Sequence, residues 1–539
     1  MSRLIWFSIL CMSLQSTARA GSIVAKRDVL SDLSGGFCQS WKFGATIANE
    51  VLYMIGLHGG QMPGDDNSTN NYLVELDLSG PVDLSDGANY NLSLISSDVP
   101  SLKDQALWPN RRNTTLYSYG GRGESNASAD EGAWTYTLGN EEWELQSGSV
   151  KPVRLSYGAH VNVPDLQAAY WVGGYQSHNT TPSFTDDTKE YTTVMLQFNT
   201  TTGEFSQLDA PFTPVQEGAL VYIPNRRLGT LIYFGGEVPS EQSGTDATLT
   251  PNAWDYVQIY DLEEETWYNQ TTTGDVTSRT QFCAAVVNDP DSWSYQIFVI
   301  GGADFESENI VTEISYLSIP SFKWYTAKGL TEERMSLTCE VFGRQIFGIG
   351  GRLAWDDGAD ADCYDAAAFI YDAQTEAVTD QFDPSLPVYS IPSALAEDIR
   401  ATPTPSQWSD SGLAFLYYAP LPTSTYYSTA DDSPNKGAIA GGTVGGVAGV
   451  TIIVAAAWFF WRARRRKAQE KDDTAELGVD QKTYSELPTK AAVSELPTRE
   501  NERSELTGDI HHVHELDSRA VPPPVKRKSG EGNETASTE

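Results

Sequence analysis

Residues 231–237 read LIYFGGE. Four residues suited to a β-strand run straight into two glycines and an acid. Paired glycines serve phosphate loops, hairpin turns and plain linkers, and repetition along the chain separates these uses. The same shape recurs as YMIGLHGG ending at Gly60, LYSYGG at Gly121, YWVGG at Gly174, IFVIGG at Gly302 and IFGIGG at Gly351. The second glycines of the six doublets follow one another at 61, 53, 62, 66 and 49 residues. Six doublets on that spacing imply a repeated unit. No Gly-Lys-Ser/Thr and no helical pattern follows them, so the phosphate-loop reading fails.

A second, weaker signature follows each later doublet. Tyr136 and Trp143, Phe198 and Phe205, Tyr260 and Trp267, Leu317 and Trp324, and Tyr371 and Val378 are all seven residues apart. That spacing reads as strand, tight polar turn, strand, with a bulky residue on each arm. Arg154, Arg279 and Arg334 each stand three residues before a bulky residue that opens another apolar run (Tyr157, Phe282 and Leu337). The first unit departs most, since YLVELDLSG has no matching Trp.

Each unit is therefore four short strands, and the chain is all-β. The glycine doublet with spaced Tyr and Trp resembles the kelch repeat over roughly residues 37–385. The resemblance implies a β-propeller whose blades are four-stranded sheets. Six blades are expected. SGLAFLYY at 411–418 looks like a further first strand without its doublet, and a composite seventh blade is the alternative. Glycine lets inner backbones approach, and the aromatic residues weld blade to blade.

Residues 1–20 read as a secretory signal: Arg3, the apolar LIWFSILCMSL, and the small-residue site Ala18-Arg19-Ala20. A lead-in spans 21–36, the propeller 37–420, and a Ser/Thr/Pro-rich stalk 421–436, with TPTPSQW (402–408) of the same composition. Residues 437–461 are long and apolar enough for one membrane helix, and RARRRK follows at 462–467. Positive flanks stay in the cytoplasm, which predicts a single-pass protein of the plasma membrane or secretory pathway with its N-terminus outside. Gly437, Gly441, Gly445 and Gly449 form an i, i+4 ladder that suits homodimerisation. The tail, 462–539, has no apolar period and is expected to be disordered, with SELPT repeats and PPPVKRK as candidate contacts for cytosolic adaptors.

Seven Asn-x-Ser/Thr sequons precede the membrane segment: Asn67, Asn91, Asn113, Asn126, Asn179, Asn199 and Asn269. Beyond residue 20 there are four cysteines, Cys38, Cys283, Cys339 and Cys363. An even count outside the cell suggests disulfides, and three connectivities are open. Cys339–Cys363 with Cys38–Cys283 is the pairing favoured here.

The formal net charge is −36, and the tail holds 14 basic against 16 acidic residues, so the charge belongs to the ectodomain. Such a surface disfavours nucleic acid and anionic lipid and suits cations, basic proteins or neutral glycans. In kelch-like propellers the loops after the doublets share one face, which is the candidate binding face. Sequons Asn67, Asn126 and Asn179 fall in the loops of the first three units. That leaves Glu237, Asp304, Glu306, Trp355, Asp356 and Asp357 as candidate ligand-binding residues, a Trp beside carboxylates suiting a sugar. DDGADADCYD lacks the full spacing of a calcium loop, so no metal and no cofactor is expected.

The resemblance has an enzymatic branch, the galactose-oxidase type, whose copper site needs histidines and a Tyr–Cys cross-link. Here only His58, His160 and His178 precede the membrane segment, in unmatched places, and no serine elbow or zinc motif occurs. A non-catalytic receptor, sensor or adhesion protein binding a protein or glycan is the expectation. A cell-surface or trafficking scaffold without a ligand-gated response is the alternative, and an oxidase the remote one.

Overall fold

The computed structural model describes residues 37–38, 43–56, 72–123, 133–146, 154–225, 228–292, 294–353, 363–364, 366 and 368–417. The segments expected to be signal, stalk, membrane span and tail (1–20 and 421–539) lie outside them. So do His58, Asn67, Asn126, Trp355, Asp356 and Asp357. Among the described residues no helix is long and apolar enough to cross a membrane.

Among the described residues, six four-stranded antiparallel sheets follow one another, each made of strands of its own repeat. Sheet I comprises Gly44–Ala48, Val51–Ile55, Tyr72–Asp77 and Tyr90–Leu94. Sheet II comprises Lys103–Pro109, Thr115–Arg122, Ala133–Thr137 and Glu142–Gln146. Sheet III comprises Ala159–Val163, Ala168–Val172, Val194–Asn199 and Phe205–Asp209. Sheet IV comprises Ala219–Ile223, Thr230–Phe234, Tyr256–Asp261 and Thr266–Thr271. Sheet V comprises Cys283–Asp289, Ser294–Ile300, Ile314–Ile319 and Lys323–Ala327. Sheet VI comprises Thr338–Phe342, Gln345–Ile349, Ala368–Asp372 and Ala377–Thr379.

The first strands neighbour each other in cyclic order, and that of sheet VI lies against that of sheet I. Between each pair of adjacent sheets sits an apolar cluster, from Leu107 against Tyr53 (sheets I and II) round to Phe347 against Met54 (sheets VI and I). The second strands of sheets III to VI are buried at every residue. They are covered on both faces, which is why they read as unbroken apolar runs rather than alternating ones. Fourth strands such as Glu142–Gln146 are outer edges and carry exposed polar residues.

The residues seven apart are direct cross-strand partners: Tyr136 faces Trp143, Phe198 faces Phe205, Tyr260 faces Trp267, Leu317 faces Trp324 and Tyr371 faces Val378. Where both are aromatic the ring centroids are 4.9, 4.6 and 5.0 Å apart. Sheet I breaks the pattern for a physical reason. Its connection between third and fourth strands is long, and it carries Val82–Asp83, which pairs with Gln381–Phe382 beyond sheet VI. Tyr90 takes the aromatic place there, opposite Leu76, and its hydroxyl donates to the Leu84 carbonyl at 2.9 Å.

The described doublets adopt positive φ, 68° and 78° at Gly235 and Gly236. A Cβ on Gly236 would lie 2.3 Å from the Gln216 carbonyl oxygen, and one on Gly235 2.7 Å from the Phe282 and Trp254 rings. The second glycine also reaches the next sheet. Gly121, Gly174 and Gly302 N–H groups donate to the carbonyls of Leu155, Val215 and Arg334 at 2.8, 2.8 and 2.9 Å. Arg279 and Arg334 are buried, and their guanidiniums reach the first-glycine carbonyls of Gly301 (3.5 Å) and Gly350 (2.9 Å). Arg154 is buried too but stands one place earlier, since Leu155 is the counterpart of Arg334.

Three expectations are corrected. Residues Ser411–Tyr417 form a helix, not a seventh first strand. Leu413, Leu416 and Tyr417 bury one face at helical spacing against sheets IV and V. The segment TPTPSQW is docked on the sheets: Trp408 meets Phe322 and Tyr417, and the Gln407 carbonyl accepts from Gln270. Cys283 is bonded to Cys339, Cα atoms 5.5 Å apart, so neither expected pairing holds. Both cysteines lie on first strands of adjacent sheets, brought side by side by the ring, whereas Cys363 lies beyond the doublet of sheet VI and pairs in register with Cys38.

We label Ser393–Ala401 α1 and Ser411–Tyr417 α2. Leu395 and Ile399 of α1 pack on sheets V and VI, and the Tyr417 hydroxyl shares a buried 2.7 Å hydrogen bond with Thr230 Oγ1.

Two outcomes are expected in thermal or urea unfolding of the protein. Gly236→Ala costs about 2–4 kcal/mol through positive φ and backbone overlap, while Gly139→Ala, where a Cβ meets nothing within 4 Å, stays within about 0.5 kcal/mol. Tyr417→Phe removes one of two hydrogen bonds to the buried Thr230 hydroxyl, which keeps that from Asn225 Nδ2 at 3.3 Å, and costs about 0.5–1.5 kcal/mol.

Candidate functional site

The first strands converge on a cavity of about 190 Å³. Asp104, Tyr157, Glu217, Gln281 and Ser336 line it, one from each of sheets II to VI. Each has left-handed backbone, with φ of 64°, 63°, 55°, 56° and 55°. Positive φ in non-glycine residues is uncommon, and five at matched places mark a built feature. Four of them stand two residues before their first strand. Asp104 lies inside its own, where the ladder to Thr115–Arg122 skips it. The matching position ahead of sheet I, residue 42, lies outside the described residues.

The backbone links neighbours in this ring: Glu217 N–H donates to the Tyr157 carbonyl at 2.9 Å and Ser336 N–H to that of Gln281 at 2.6 Å. Side chains are held by the residues that follow the doublets. Arg122, next to Gly121, donates to Asp104 Oδ2 at 2.7 Å, and Ser156 Oγ donates to the same oxygen at 2.9 Å. The Arg122 guanidinium lies 4.8 Å from the Tyr157 ring centre, and Tyr157 stacks on Tyr175 at 5.3 Å. Burial holds the Tyr157 phenol well above its usual pKa. Arg352, next to Gly351, donates to Gln281 Oε1 at 3.1 Å, and Ser336 Oγ donates there too.

Deeper in the channel, His160 stacks on Trp171, ring centroids 5.5 Å apart, and its Nδ1 accepts from Trp108 Nε1 at 3.4 Å. Burial pushes its pKa down to about 4, so it is neutral at pH 7, with its proton on Nε2. Burial pushes Glu340, on the first strand of sheet VI, up to about 8 against a hydrogen bond from the Ile47 backbone. A carboxyl so placed is mostly protonated at neutral pH.

Beside the ring, the doublet loops of sheets III and IV join. Tyr175–Gln176, Lys189–Tyr191 and Ser243–Gly244 form one three-stranded sheet, and Glu237–Pro239 pairs with Leu249–Pro251. This gives the loop face a hydrogen-bonded canopy in place of separate loops.

The expected site residues fare differently. Glu237 is buried, 3% exposed, and accepts from Gln216 Nε2 at 2.6 Å and Thr280 Oγ1 at 2.8 Å. It bridges sheets IV and V, so the reading of it as an exposed recognition residue is corrected. Asp304 Oδ1 accepts from the Glu306 and Ser307 amides at 2.9 and 2.8 Å and so orders its own loop. Glu306 is exposed. Trp355, Asp356 and Asp357 lie outside the described residues. The five ring residues were not legible beforehand, because Asp, Tyr, Glu, Gln and Ser share no chemistry. Their only signal is position, two residues ahead of an apolar run.

Asn91, Asn199 and Asn269 are exposed on sheets I, III and IV. Asn113 and Asn179 are half-buried, and the Asn113 carbonyl accepts from Asn49 Nδ2 at 2.6 Å. His178 is half-buried in the loop of sheet III, with Nδ1 3.1 Å from the Asp186 carbonyl.

No protein-family model matches the chain. It is similar to a kelch repeat-containing protein of Arthroderma benhamiae, 26% identical over 391 residues, or 62% of this chain. The chain spans 56% of that relative's length. A solved structure of YjhT overlaps 63% of this chain and 97% of its own, at 15% identity and a TM-score of 0.46.

One pH dependence follows from Glu340. Its folded pKa is raised above the usual 4.5 to about 8, so ionisation favours the unfolded chain and stability is lost as pH rises between those values. Glu340→Gln is expected to match the parent near pH 4 and to melt progressively higher than it as pH is raised to 8; a constant difference across that range counts against the assignment. The all-β sheets and the kelch relative together support a kelch-type repeat protein.

Proposed function

We propose that this chain is a six-bladed kelch-type propeller protein whose channel mouth and loop canopy bind a protein or glycan ligand. The observation that carries the reading is the convergence on one cavity, beside that canopy, of five polar residues with left-handed backbone from five sheets. The C-terminal strap lies at the other end of the strands. Ile391 N–H donates to Asp289 at the far end of sheet V's first strand, and Tyr417 bonds Thr230 at the start of sheet IV's second strand. The doublet face is thus left to a partner, and the chain leaves residue 417 from the opposite one.

In this reading residues 1–20 are a signal, 437–461 a membrane span and 462–539 a cytoplasmic tail, so the propeller is displayed outside as a type I surface receptor or adhesion protein. The exposed sequons Asn91, Asn199 and Asn269 carry glycans on outer parts of the sheets, away from the mouth. The protein is not catalytic. Its ligand is a protein or a glycan, and the tail engages cytosolic adaptors, with the glycine ladder pairing two spans.

The test is a protein and glycan array probed with the secreted 21–429 fragment, followed by titration of any hit. Glu217→Lys is expected to weaken binding at least tenfold with the melting temperature kept, whereas Glu263→Lys, on an exposed turn of sheet IV, leaves it unchanged. Binding untouched at Glu217 moves the site away from the mouth.

A further inference from the structure

The sheets of this ring are each complete in their own repeat, so no strand is shared between the two chain ends. Sheets I and VI must be held together by other means. Thr338 Oγ1 donates to the Phe43 carbonyl at 3.0 Å, and Phe347 and Phe382 pack with the core of sheet I. At the turn end, Val82–Asp83 pairs with Gln381–Phe382, reinforced by Leu84 N–H to the Asp380 carbonyl at 2.8 Å. At the doublet end, Phe37–Cys38 pairs antiparallel with Cys363–Tyr364. The receiving strand is anchored: Tyr364 is buried, its hydroxyl donates to the Glu333 carbonyl at 2.9 Å, and the Arg334 guanidinium lies 3.5 Å from its ring centre.

In that pairing Cys38 stands directly opposite Cys363. Facing residues of an antiparallel pair have Cα atoms about 4.5–5.5 Å apart, inside the roughly 4.4–6.8 Å that a disulfide spans. The other two cysteines beyond residue 20, Cys283 and Cys339, are already bonded to each other. We propose that Cys38 and Cys363 form a second disulfide, a covalent clasp that closes the ring between its first and last sheets. Sheets V, VI and I would then be joined in series by two cross-links.

The bond forms by thiol–disulfide exchange with a disulfide-bearing oxidant, small-molecule or protein. One cysteine thiolate attacks the oxidant's disulfide and expels a thiolate, giving a mixed disulfide. The second cysteine thiolate then attacks the first cysteine's sulfur and expels the other half. Two cysteine thiols are oxidised with loss of two protons and two electrons, and the oxidant is reduced to two thiols.

The experiment takes the full chain expressed through an oxidising secretory pathway, alkylates it in denaturant without reductant, and maps its peptides by mass spectrometry. A peptide pair joining Cys38 to Cys363, absent after reduction, is the expected result. Alkylation of both cysteines, or pairs joining Cys38 to Cys283 and Cys339 to Cys363, overturns the proposal. A second measurement uses Cys38→Ser, Cys363→Ser and the double variant. The single variants should lower the melting temperature equally, each exposing the other cysteine to alkylation, and the double variant should lower it no further. Additive losses overturn the clasp, and the peptide map of the parent decides the matter if a variant fails to fold.

Discussion

The ring depends on one close approach. The amide of a second glycine reaches across to a carbonyl ahead of the next sheet, as Gly121 does to Leu155, Gly174 to Val215 and Gly302 to Arg334. Any side chain there would overlap backbone: a Cβ on Gly174 would stand 2.2 Å from the Ser156 oxygen. The left-handed φ that turns the chain and the missing Cβ that permits the contact are the same requirement, met by glycine alone. Arg279 and Arg334 complete it by holding the first-glycine carbonyl from a buried position. A buried guanidinium is tolerated only with such partners, and here they are main-chain oxygens and the carboxylates Glu313 and Glu332.

This contact also places the candidate site. The receiving carbonyls of Leu155, Val215 and Arg334 lie two residues before Tyr157, Glu217 and Ser336, so the contact that locks the sheets together also sets these residues at the cavity. Their backbone strain is supported by the sheets around them. The same closure brings Cys283, the first residue of its strand, beside Cys339, the second residue of the next first strand, with Cα atoms 5.5 Å apart.

Much of the architecture was legible because it is local and repeated. The doublets, the second strands and the partners seven residues apart are set by hairpin geometry within each unit. The oddity of the first unit was visible but not its cause, since the pairing of Val82–Asp83 with Gln381–Phe382 joins residues almost three hundred positions apart. The helix Ser411–Tyr417 read as a strand because a short apolar run fits both periods, and only the face that sheets IV and V cover decides between them. Glu237 was misjudged for a related reason. A carboxylate after a turn reads as exposed, and its burial rests on Gln216 and Thr280, which other parts of the ring supply.

By itself the sequence determined the repeated unit, the strands within it and the glycines that end its second strand, because these follow from steric rules acting over a few residues. Tertiary structure alone decided which cysteines meet, which acids are buried, and that Asp104, Tyr157, Glu217, Gln281 and Ser336 share one cavity. Those outcomes come from closing the ring, which juxtaposes residues with no common pattern along the chain.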